Sequence, residues 1–276
     1  MTSFRRFGFV LFVLLFVSDA LALPPPGRGR DPVFDGKLAL EASQAAIGRT
    51  LDAYAFTDVT GKPVTLAEFQ GKPLLISLIY TSCYHTCSVA TRHLASVVEK
   101  AAETFGPDSF HVVTIGFDTR NDTPQAMERY ARQQGVADRP YWRFLSGSQE
   151  EIDRLTDQLG FQYAPSPKGF DHTVQVSVVD AKGVVYRQVY GETFLTPVLT
   201  EPMRTLILGT PPEAETPIAE LTRRIRFFCT TYDPQRDGYR FDYSLFVGMF
   251  CGATVIFGVA YWVVREWLRG RRAARR

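Results

Sequence analysis

Two cysteines stand four residues apart in the segment CYHTC, from Cys83 to Cys87. Cysteine thiols can bind a soft metal ion or exchange electrons through a disulfide. The apolar run at residues 74–80 predicts a buried strand before the segment, and the apolar spacing after Cys87 predicts a helix. A helix N-terminus stabilises a thiolate, because its dipole and free N–H groups favour negative charge. We therefore expect a lowered pKa and high reactivity for both thiols.

The spacing of the two cysteines favours a metal site over a disulfide. On a regular helix, residues i and i+4 have Cβ atoms about 5–6 Å apart, whereas a disulfide places them about 3.8 Å apart. Two sulfurs at the helical distance suit one metal ion, and a disulfide requires the chain to bend. Because Cys83 is expected in the loop, where the geometry is adjustable, a redox-active disulfide between Cys83 and Cys87 remains the alternative state.

A third ligand is needed if the two thiolates are to hold copper(I) selectively, and imidazole suits copper. The chain has four histidines. His172 precedes a predicted strand at residues 173–179 and follows a loop with two prolines and a glycine, so it is the candidate ligand. The other three are expected to have no role at the metal. His93 is predicted on a helix surface, His111 at the start of a buried strand, and His85 in contact with solvent.

Strand and helix patterns alternate along the middle of the chain. The predicted order is a β-hairpin, then β, α, β, α, β, α, and a second hairpin. After the first hairpin, strands are predicted at residues 74–80, 110–116, 142–145, 173–179 and 184–190. One helix follows Cys87, the next begins at Pro124, and Ser148 caps the third. Strands alternating with helices imply an α/β fold, with a central sheet covered on both faces and ligands bound beyond the carboxyl ends of its strands.

Both ends of the chain carry apolar segments. Residues 1–22 fit a secretory signal peptide, with two arginines before an apolar run and the small residues Ala20 and Ala22 at the cleavage site. Residues 243–264 carry no charge and, at 1.5 Å per residue, reach about 33 Å, enough to span a bilayer. The alternative for the N-terminal segment is an uncleaved membrane anchor, and the alternative for residues 243–264 is a buried core helix. Residues 265–276 are rich in arginine, so the positive-inside rule keeps them cytoplasmic.

These segments predict one domain held outside the cytoplasm. The expected order is a signal peptide (residues 1–22), a linker (23–49), one α/β domain (50–210), a connector (211–242), a transmembrane helix (243–264) and a basic tail (265–276). In a double-membraned bacterium the domain would be periplasmic and anchored in the inner membrane by a single pass.

The net charge of +2 gives no electrostatic reason to bind nucleic acid. A 45% apolar content excludes a disordered chain, and four cysteines are too few for a disulfide scaffold.

The sequence resembles the SCO1/SenC family, the thioredoxin-like copper proteins of cytochrome c oxidase assembly. Three features carry the resemblance over residues 50–208: CYHTC after an apolar strand, DTRNDTP at residues 118–124 after the second strand, and Asp171-His172-Thr173 before a later strand. It implies a thioredoxin-like fold with an N-terminal β-hairpin extension. The chain departs from the family at Ser88 and Thr119, where proline is usual, and this leaves the recipient oxidase open.

The resemblance also implies a ligand set and partners. One copper ion would be bound by Cys83, Cys87 and His172. Asp118, at the end of the neighbouring strand, resembles an acidic residue that lies near the metal and orients its ligands. The partners would be a cytochrome c oxidase subunit or another copper chaperone, together with the membrane. A membrane-tethered copper metallochaperone is therefore the first functional hypothesis.

Two other functions use the same cysteines. A thiol–disulfide reductase would keep an oxidase subunit reduced through a mixed disulfide, and it would not need His172. A peroxidase has less support, because the chain lacks a peroxidatic threonine–cysteine arrangement with a matching arginine. Of the remaining cysteines, Cys251 is expected to pack within the predicted span. Cys229 is expected to be inert near the membrane surface, with metal shuttling or pairing between chains as the alternative.

Overall fold

The structure is a computed structural model of the 276-residue chain, and it describes residues 34–209, 230–233, 238–241 and 243–273. The predicted signal peptide, most of the predicted connector and Cys229 lie outside the described residues. Within residues 34–209, buried apolar side chains from the strands and helices form a hydrophobic core. The two cysteines of the CYHTC segment lie at the edge of this core, where Cys87 is one of its members and Cys83 packs against it.

Nine strands are described within residues 34–209. They are β1 (Ala55–Asp58), β2 (Pro63–Thr65), β3 (Leu74–Ile79), β4 (His111–Gly116), β5 (Trp142–Ser146), β6 (Tyr163–Ser166), β7 (Gly169–His172), β8 (Gln175–Val179) and β9 (Val185–Tyr190). Seven form one sheet in the order β2-β1-β5-β4-β3-β8-β9. Its three central strands β5, β4 and β3 are parallel, whereas β8 and β9 on one side and β1 and β2 on the other are antiparallel. This confirms the predicted α/β sheet with a hairpin at each end.

The central strands are apolar because both of their faces are covered. All six residues of β3 are buried, and so are the last five of β4. Burial on both faces explains why these strands read as continuous apolar runs rather than as alternating ones. The two polar side chains among them, Ser77 and Thr114, satisfy each other with a 2.8 Å hydrogen bond. The carboxyl ends of β3 and β4 are neighbours, with Ile79 paired to Gly116, and the candidate site begins just beyond them.

Five helices cover this part of the chain, namely α1 (Gly36–Ala45), α2 (Thr86–Phe105), α3 (Pro124–Gln133), α4 (Gln149–Leu159) and α5 (Thr196–Gly209). Two of the predicted helix starts are confirmed by their caps. Thr123 accepts a hydrogen bond from the Ala126 N–H, with proline in the first turn, and Ser148 accepts one from the Glu151 N–H. Helix α2 begins at Thr86, so Cys83 precedes it and Cys87 lies in its first turn.

Two segments differ from the sequence prediction. The sequence indicates a possible short helix at residues 38–46 of the predicted linker, and α1 lies there, but its Ala39 and Ser43 are buried, and Ser43 accepts a 2.9 Å hydrogen bond from the Tyr190 hydroxyl. The folded part therefore begins earlier than residue 50. Residues 163–172 were expected as a loop because of their prolines, but they form the antiparallel hairpin of β6 and β7. Proline is tolerated there because the hairpin lies outside the main sheet and has free edges.

The C-terminal part contains a short hairpin and one long helix. Strands β10 (Thr230–Asp233) and β11 (Gly238–Phe241) pair antiparallel, and helix α6 covers Ser244–Ala273. Within α6, the 20 residues Phe246–Arg265 form an apolar stretch long enough to cross a membrane, and none of it is buried against the protein. This supports the predicted apolar C-terminal helix over the buried core helix that was its alternative.

Candidate metal centre

Cys83 lies in the loop between β3 and α2, and its sulfur faces the start of the helix. The Cys87 backbone N–H donates a hydrogen bond to the Cys83 Sγ over 3.3 Å. The pKa of Cys83 is lowered to about 5, first because the Cys87 thiol donates to its sulfur. The Cys87 and His85 backbone N–H groups and the Tyr80 hydroxyl also donate, and together they outweigh the opposing effect of burial. Cys83 is half-buried, so a ligand can reach this thiolate.

Cys87 behaves in the opposite way. Its side chain is buried, and its pKa is raised because its thiol donates a hydrogen bond to Cys83 and because burial disfavours its charge. The prediction of a lowered pKa for both thiols is therefore wrong for Cys87. The helix N-terminus stabilises one negative charge, and the two sulfurs share the remaining proton. The pair thus offers one half-buried thiolate and one buried thiol.

Asp122 holds the loop that carries Cys83 through hydrogen bonds. Its carboxylate accepts 2.7 Å hydrogen bonds from the N–H and hydroxyl of Thr81 and a 2.8 Å bond from the Asp118 N–H. Burial raises the pKa of Asp122 to about 6. A Cβ added at Gly116 would overlap the Asp122 side chain, so glycine is required beside it. Sequence reasoning missed this residue, although it is the second aspartate of the DTRNDTP segment.

Asp118 stands at the carboxyl end of β4, as predicted. Its carboxylate accepts a 2.7 Å hydrogen bond from the Asn121 side-chain amide, and its side chain is half-buried. The acidic side chain that holds the cysteine loop through hydrogen bonds is Asp122, four residues further on. A role for Asp118 in orienting metal ligands stays a prediction.

His172 is the last residue of β7, and an aromatic cluster surrounds its ring. The ring centroids of Tyr80, Phe117 and Phe161 lie 5.8, 5.5 and 5.7 Å from it. The His172 Nδ1 is 2.9 Å from the backbone carbonyl of Thr173. Because a carbonyl only accepts, Nδ1 carries the proton in this contact, and Nε2 of the neutral ring keeps its lone pair. A histidine held in this way can bind a metal through Nε2.

Cys87 and His172 line the same small cavity, which lies between the cysteine helix and the strands that follow the His172 hairpin. Its volume is about 20 Å³, the space that one water molecule or one ion needs. Cys83 does not line this cavity, but its sulfur accepts a hydrogen bond from the backbone N–H of Cys87, which does. Among the described residues, no three His, Cys, Asp or Glu side chains already stand close enough together to hold a metal. The structure therefore brings two of the predicted ligands to one cavity without assembling all three.

The other three histidines of the chain lie in different environments. His93 is half-buried rather than on the surface as predicted, and its Nε2 lies 3.1 Å from the backbone nitrogen of Phe194. Phe194 in turn lines the cavity beside Cys87. His111 packs edge-on against Phe69 at 5.4 Å, and burial lowers its pKa. His85 is exposed, as predicted.

Known proteins resemble this chain over its α/β part. The SCO1 protein homolog of Bacillus subtilis is 26% identical over 129 residues, which are 46% of this chain and 65% of that protein. The mitochondrial SCO1 homolog of Homo sapiens is 25% identical over 148 residues, 51% of this chain and 48% of that protein. The chain thus spans between about half and two thirds of the length of these curated relatives.

A solved structure shares the fold. A protein from Aquifex aeolicus VF5 superimposes with a TM-score of 0.55 at 25% identity, covering 60% of this chain and 97% of that one. The model of the SCO1/SenC family matches residues 42–207, which is more than half of the chain and includes Cys83, Cys87, Asp118 and His172. The chain belongs to the SCO1/SenC family.

Proposed function

We propose that this protein is a membrane-anchored, extracytoplasmic copper metallochaperone. It binds one copper ion through Cys83, Cys87 and His172, and it delivers that ion to a copper centre of a cytochrome c oxidase. The observation that supports this most strongly is that Cys87 and His172 line one ion-sized cavity and that the Cys83 sulfur is hydrogen-bonded to Cys87. Membership of the SCO1/SenC family points the same way.

The donor set fits copper(I). Thiolate sulfur is a soft ligand that prefers Cu(I), and imidazole nitrogen also suits copper. Cys83 is a thiolate at neutral pH because its pKa is about 5. Cys87 must lose its proton when the metal binds, so binding releases a proton and weakens as the pH falls. The Thr173 carbonyl fixes the His172 tautomer that leaves Nε2 available.

Binding requires a local closure, because the three side chains are not yet gathered. His172 lies on the β6–β7 hairpin, which pairs only with itself and not with the seven-stranded sheet. A small shift of this hairpin toward the cysteine loop would bring Nε2 to the sulfurs without breaking a strand pair of the main sheet. The same opening and closing would let a recipient reach the metal.

Release proceeds by exchange of ligands. Ligands of the recipient, an oxidase subunit or another copper chaperone, replace Cys83 and Cys87 one at a time, and the half-exposed Cys83 is replaced first.

The apolar helix α6 would hold the domain at the surface of the inner membrane as a single-pass anchor, with the arginine-rich tail in the cytoplasm. Attachment to the membrane keeps the chaperone close to an oxidase in the same bilayer.

Competition titration tests the binding step. The full chain, reduced and kept in detergent, is titrated with Cu(I) against a chromophoric chelator. We expect one copper per chain for the wild type, and a loss of affinity of at least about 100-fold for C83S, C87S and H172A. His85→Ala is the matched control, because this exposed histidine lies between the two cysteines. Wild-type protein that takes up no copper, or C83S that binds it normally, would refute the proposal.

A thiol–disulfide reductase is the second candidate, and the asymmetry of the thiols favours it. The half-buried Cys83 thiolate would attack a substrate disulfide and release one substrate thiolate, and Cys87 would give up its proton and attack the Cys83 sulfur to release the second. Two electrons pass to the substrate, and the Cys83–Cys87 disulfide forms. His172→Ala separates the two functions, because it removes a copper ligand and leaves the dithiol. If reduction survives in H172A and the wild type binds no copper, this candidate replaces the first.

A further inference from the structure

Tyr80 lies between the cysteine loop and the hairpin that carries His172. It follows the last residue of β3, and only 5% of its surface is exposed. Its backbone carbonyl accepts a 3.1 Å hydrogen bond from the Cys83 N–H. Burial and the nearby Cys83 sulfur raise the pKa of its hydroxyl to about 12, whereas the Phe170 N–H in β7 acts in the opposite direction, so the hydroxyl faces both groups. One residue therefore lies against a proposed ligand and against the strand that holds another.

The Tyr80 ring also packs against the hairpin. The rings of Phe170 and His172 lie 5.3 and 5.8 Å from it, both at steep interplanar angles. A Cβ added at Gly169 would stand 2.9–3.2 Å from three Tyr80 atoms, including the hydroxyl oxygen. The hairpin backbone thus approaches Tyr80 closely enough that glycine is needed at this point. Ring packing would persist with phenylalanine at position 80, but the contacts of the hydroxyl with Cys83 and with the hairpin would be lost.

We propose that Tyr80 is a positioning residue that ties the Cys83 loop to the β6–β7 hairpin and limits the distance that Cys83 and His172 must move before one copper ion joins them. The inference rests on the proposed function, and it adds a residue that acts through the ligands rather than as one of them. Because the hairpin has no strand partner in the main sheet, the packing of Tyr80 against Gly169, Phe170 and His172 attaches it toward the cysteine side. Holding two ligand segments together lowers the ordering cost of metal binding.

The same aromatic cluster supplies a matched control. The Tyr163 ring packs against Phe117 at 4.8 Å and Phe170 at 5.8 Å, so it belongs to the same cluster as Tyr80. Its hydroxyl, however, lies near the side chains of Gln149 and Asp153 on α4. Tyr163→Phe therefore removes a hydroxyl from the cluster without touching the cysteine loop.

Two measurements on the full chain in detergent test this role. In the metal-free, reduced protein, hydrogen exchange at the hairpin amides 169–172 should be about three- to ten-fold faster in Y80F than in the wild type. This is the effect expected when the hairpin loses one polar contact, the one with the Tyr80 hydroxyl. Cu(I) affinity should fall by a similar factor. Y163F should match the wild type in both. A melting temperature close to that of the wild type shows that Y80F is folded.

Each possible outcome decides the matter. If amide hydrogen exchange in the hairpin is unchanged in Y80F, or is accelerated equally in Y163F, the Tyr80 hydroxyl does not hold the hairpin. If exchange is faster in Y80F but the copper affinity is unchanged, Tyr80 holds the hairpin without positioning the ligands. Wild-type protein that binds no copper would refute the proposed function, while the exchange rates of the metal-free proteins would still report whether Tyr80 holds the hairpin.

Discussion

The Cys83 sulfur accepts a hydrogen bond from the backbone N–H of Cys87 over 3.3 Å, so the second cysteine of the CYHTC segment stabilises the charge of the first. The Cys87 thiol donates to the same sulfur. This relationship makes the pair asymmetric, because the half-buried Cys83 sulfur carries the negative charge and the buried Cys87 sulfur keeps the proton. A metal ion would replace that proton and bind both sulfurs.

Alkylation should show this asymmetry directly. In the metal-free, reduced protein we expect iodoacetamide to modify Cys83 first, at a rate that rises through about pH 5 and is level by pH 7, because the lowered pKa makes it a thiolate over that range. Cys87 should react far more slowly, since it is buried and its pKa is raised. Mass spectrometry of the modified peptides from pH 4 to 8 measures both rates.

The Cys87→Ala variant is the control for the alkylation experiment. It removes the thiol that donates to Cys83, so the midpoint of the rate profile should move to higher pH. A wild-type midpoint between pH 8 and 9, or equal modification of the two cysteines at pH 7, would contradict the assigned asymmetry.

Asp122 should make stability depend on pH. Its pKa is about 6 in the folded protein against 3.8 for an unperturbed aspartate. The folded state therefore binds a proton that the unfolded chain has lost, and this contribution to stability is full below about pH 4 and is lost as the pH rises through 6. The D122N protein does not titrate at this position. The unfolding free energy of the wild type relative to D122N should fall by about 2 kcal/mol between pH 4 and 7.5.

Thermal or denaturant unfolding at several pH values measures this difference, because the other titrating groups contribute equally to both proteins. A difference that stays constant from pH 4 to 7.5 would mean that Asp122 is ionised throughout and that its burial does not govern its pKa.

The sequence allowed the sheet, three of the helices and the position of the cysteines to be predicted, because local signals fix them. The fully buried strand β3 reads as an apolar run, and the caps Thr123 and Ser148 mark two helix starts. The β6–β7 hairpin escaped prediction because its two prolines are typical of a loop, and only its position outside the main sheet makes them acceptable.

The details of the site depend on contacts between distant segments, which local patterns do not reveal. The hydrogen bonds from Thr81 to Asp122 join residues 41 positions apart, and the Tyr80 contacts reach from β3 to β7. The raised pKa of Cys87 likewise follows from its pairing with Cys83 and from burial, whereas the helix N-terminus alone predicts a lowered value. The position of His172 before a predicted strand made it a candidate ligand, and the family resemblance strengthened that assignment.

Gly116 should be intolerant of any side chain. An added Cβ would overlap Asp122, so G116A should lower the free energy of unfolding by about 1–3 kcal/mol and loosen the cysteine loop that Asp122 holds. Gly36→Ala is the control, because the nearest atom to its added Cβ is a Phe34 ring carbon at 3.8 Å. Equal stability of G116A and wild type would show that the Asp122 side chain can move aside at no cost.

The membrane topology can be tested with C-terminal fusions. Because an arginine-rich tail follows the apolar helix, a green fluorescent protein fused after residue 276 should fluoresce, and alkaline phosphatase at the same position should be inactive. Phosphatase activity at the C-terminus would place the tail outside the cytoplasm and contradict the proposed orientation.

X-ray absorption at the copper edge tests the central claim most directly, because it reports the atoms bound to the metal. For the full chain loaded with one Cu(I), we predict two sulfur ligands and one nitrogen ligand. The nitrogen signal should be lost in H172A and retained in H85A. A spectrum with two sulfurs and an unchanged nitrogen ligand in H172A, or with no sulfur ligands in the wild type, would contradict binding by Cys83, Cys87 and His172.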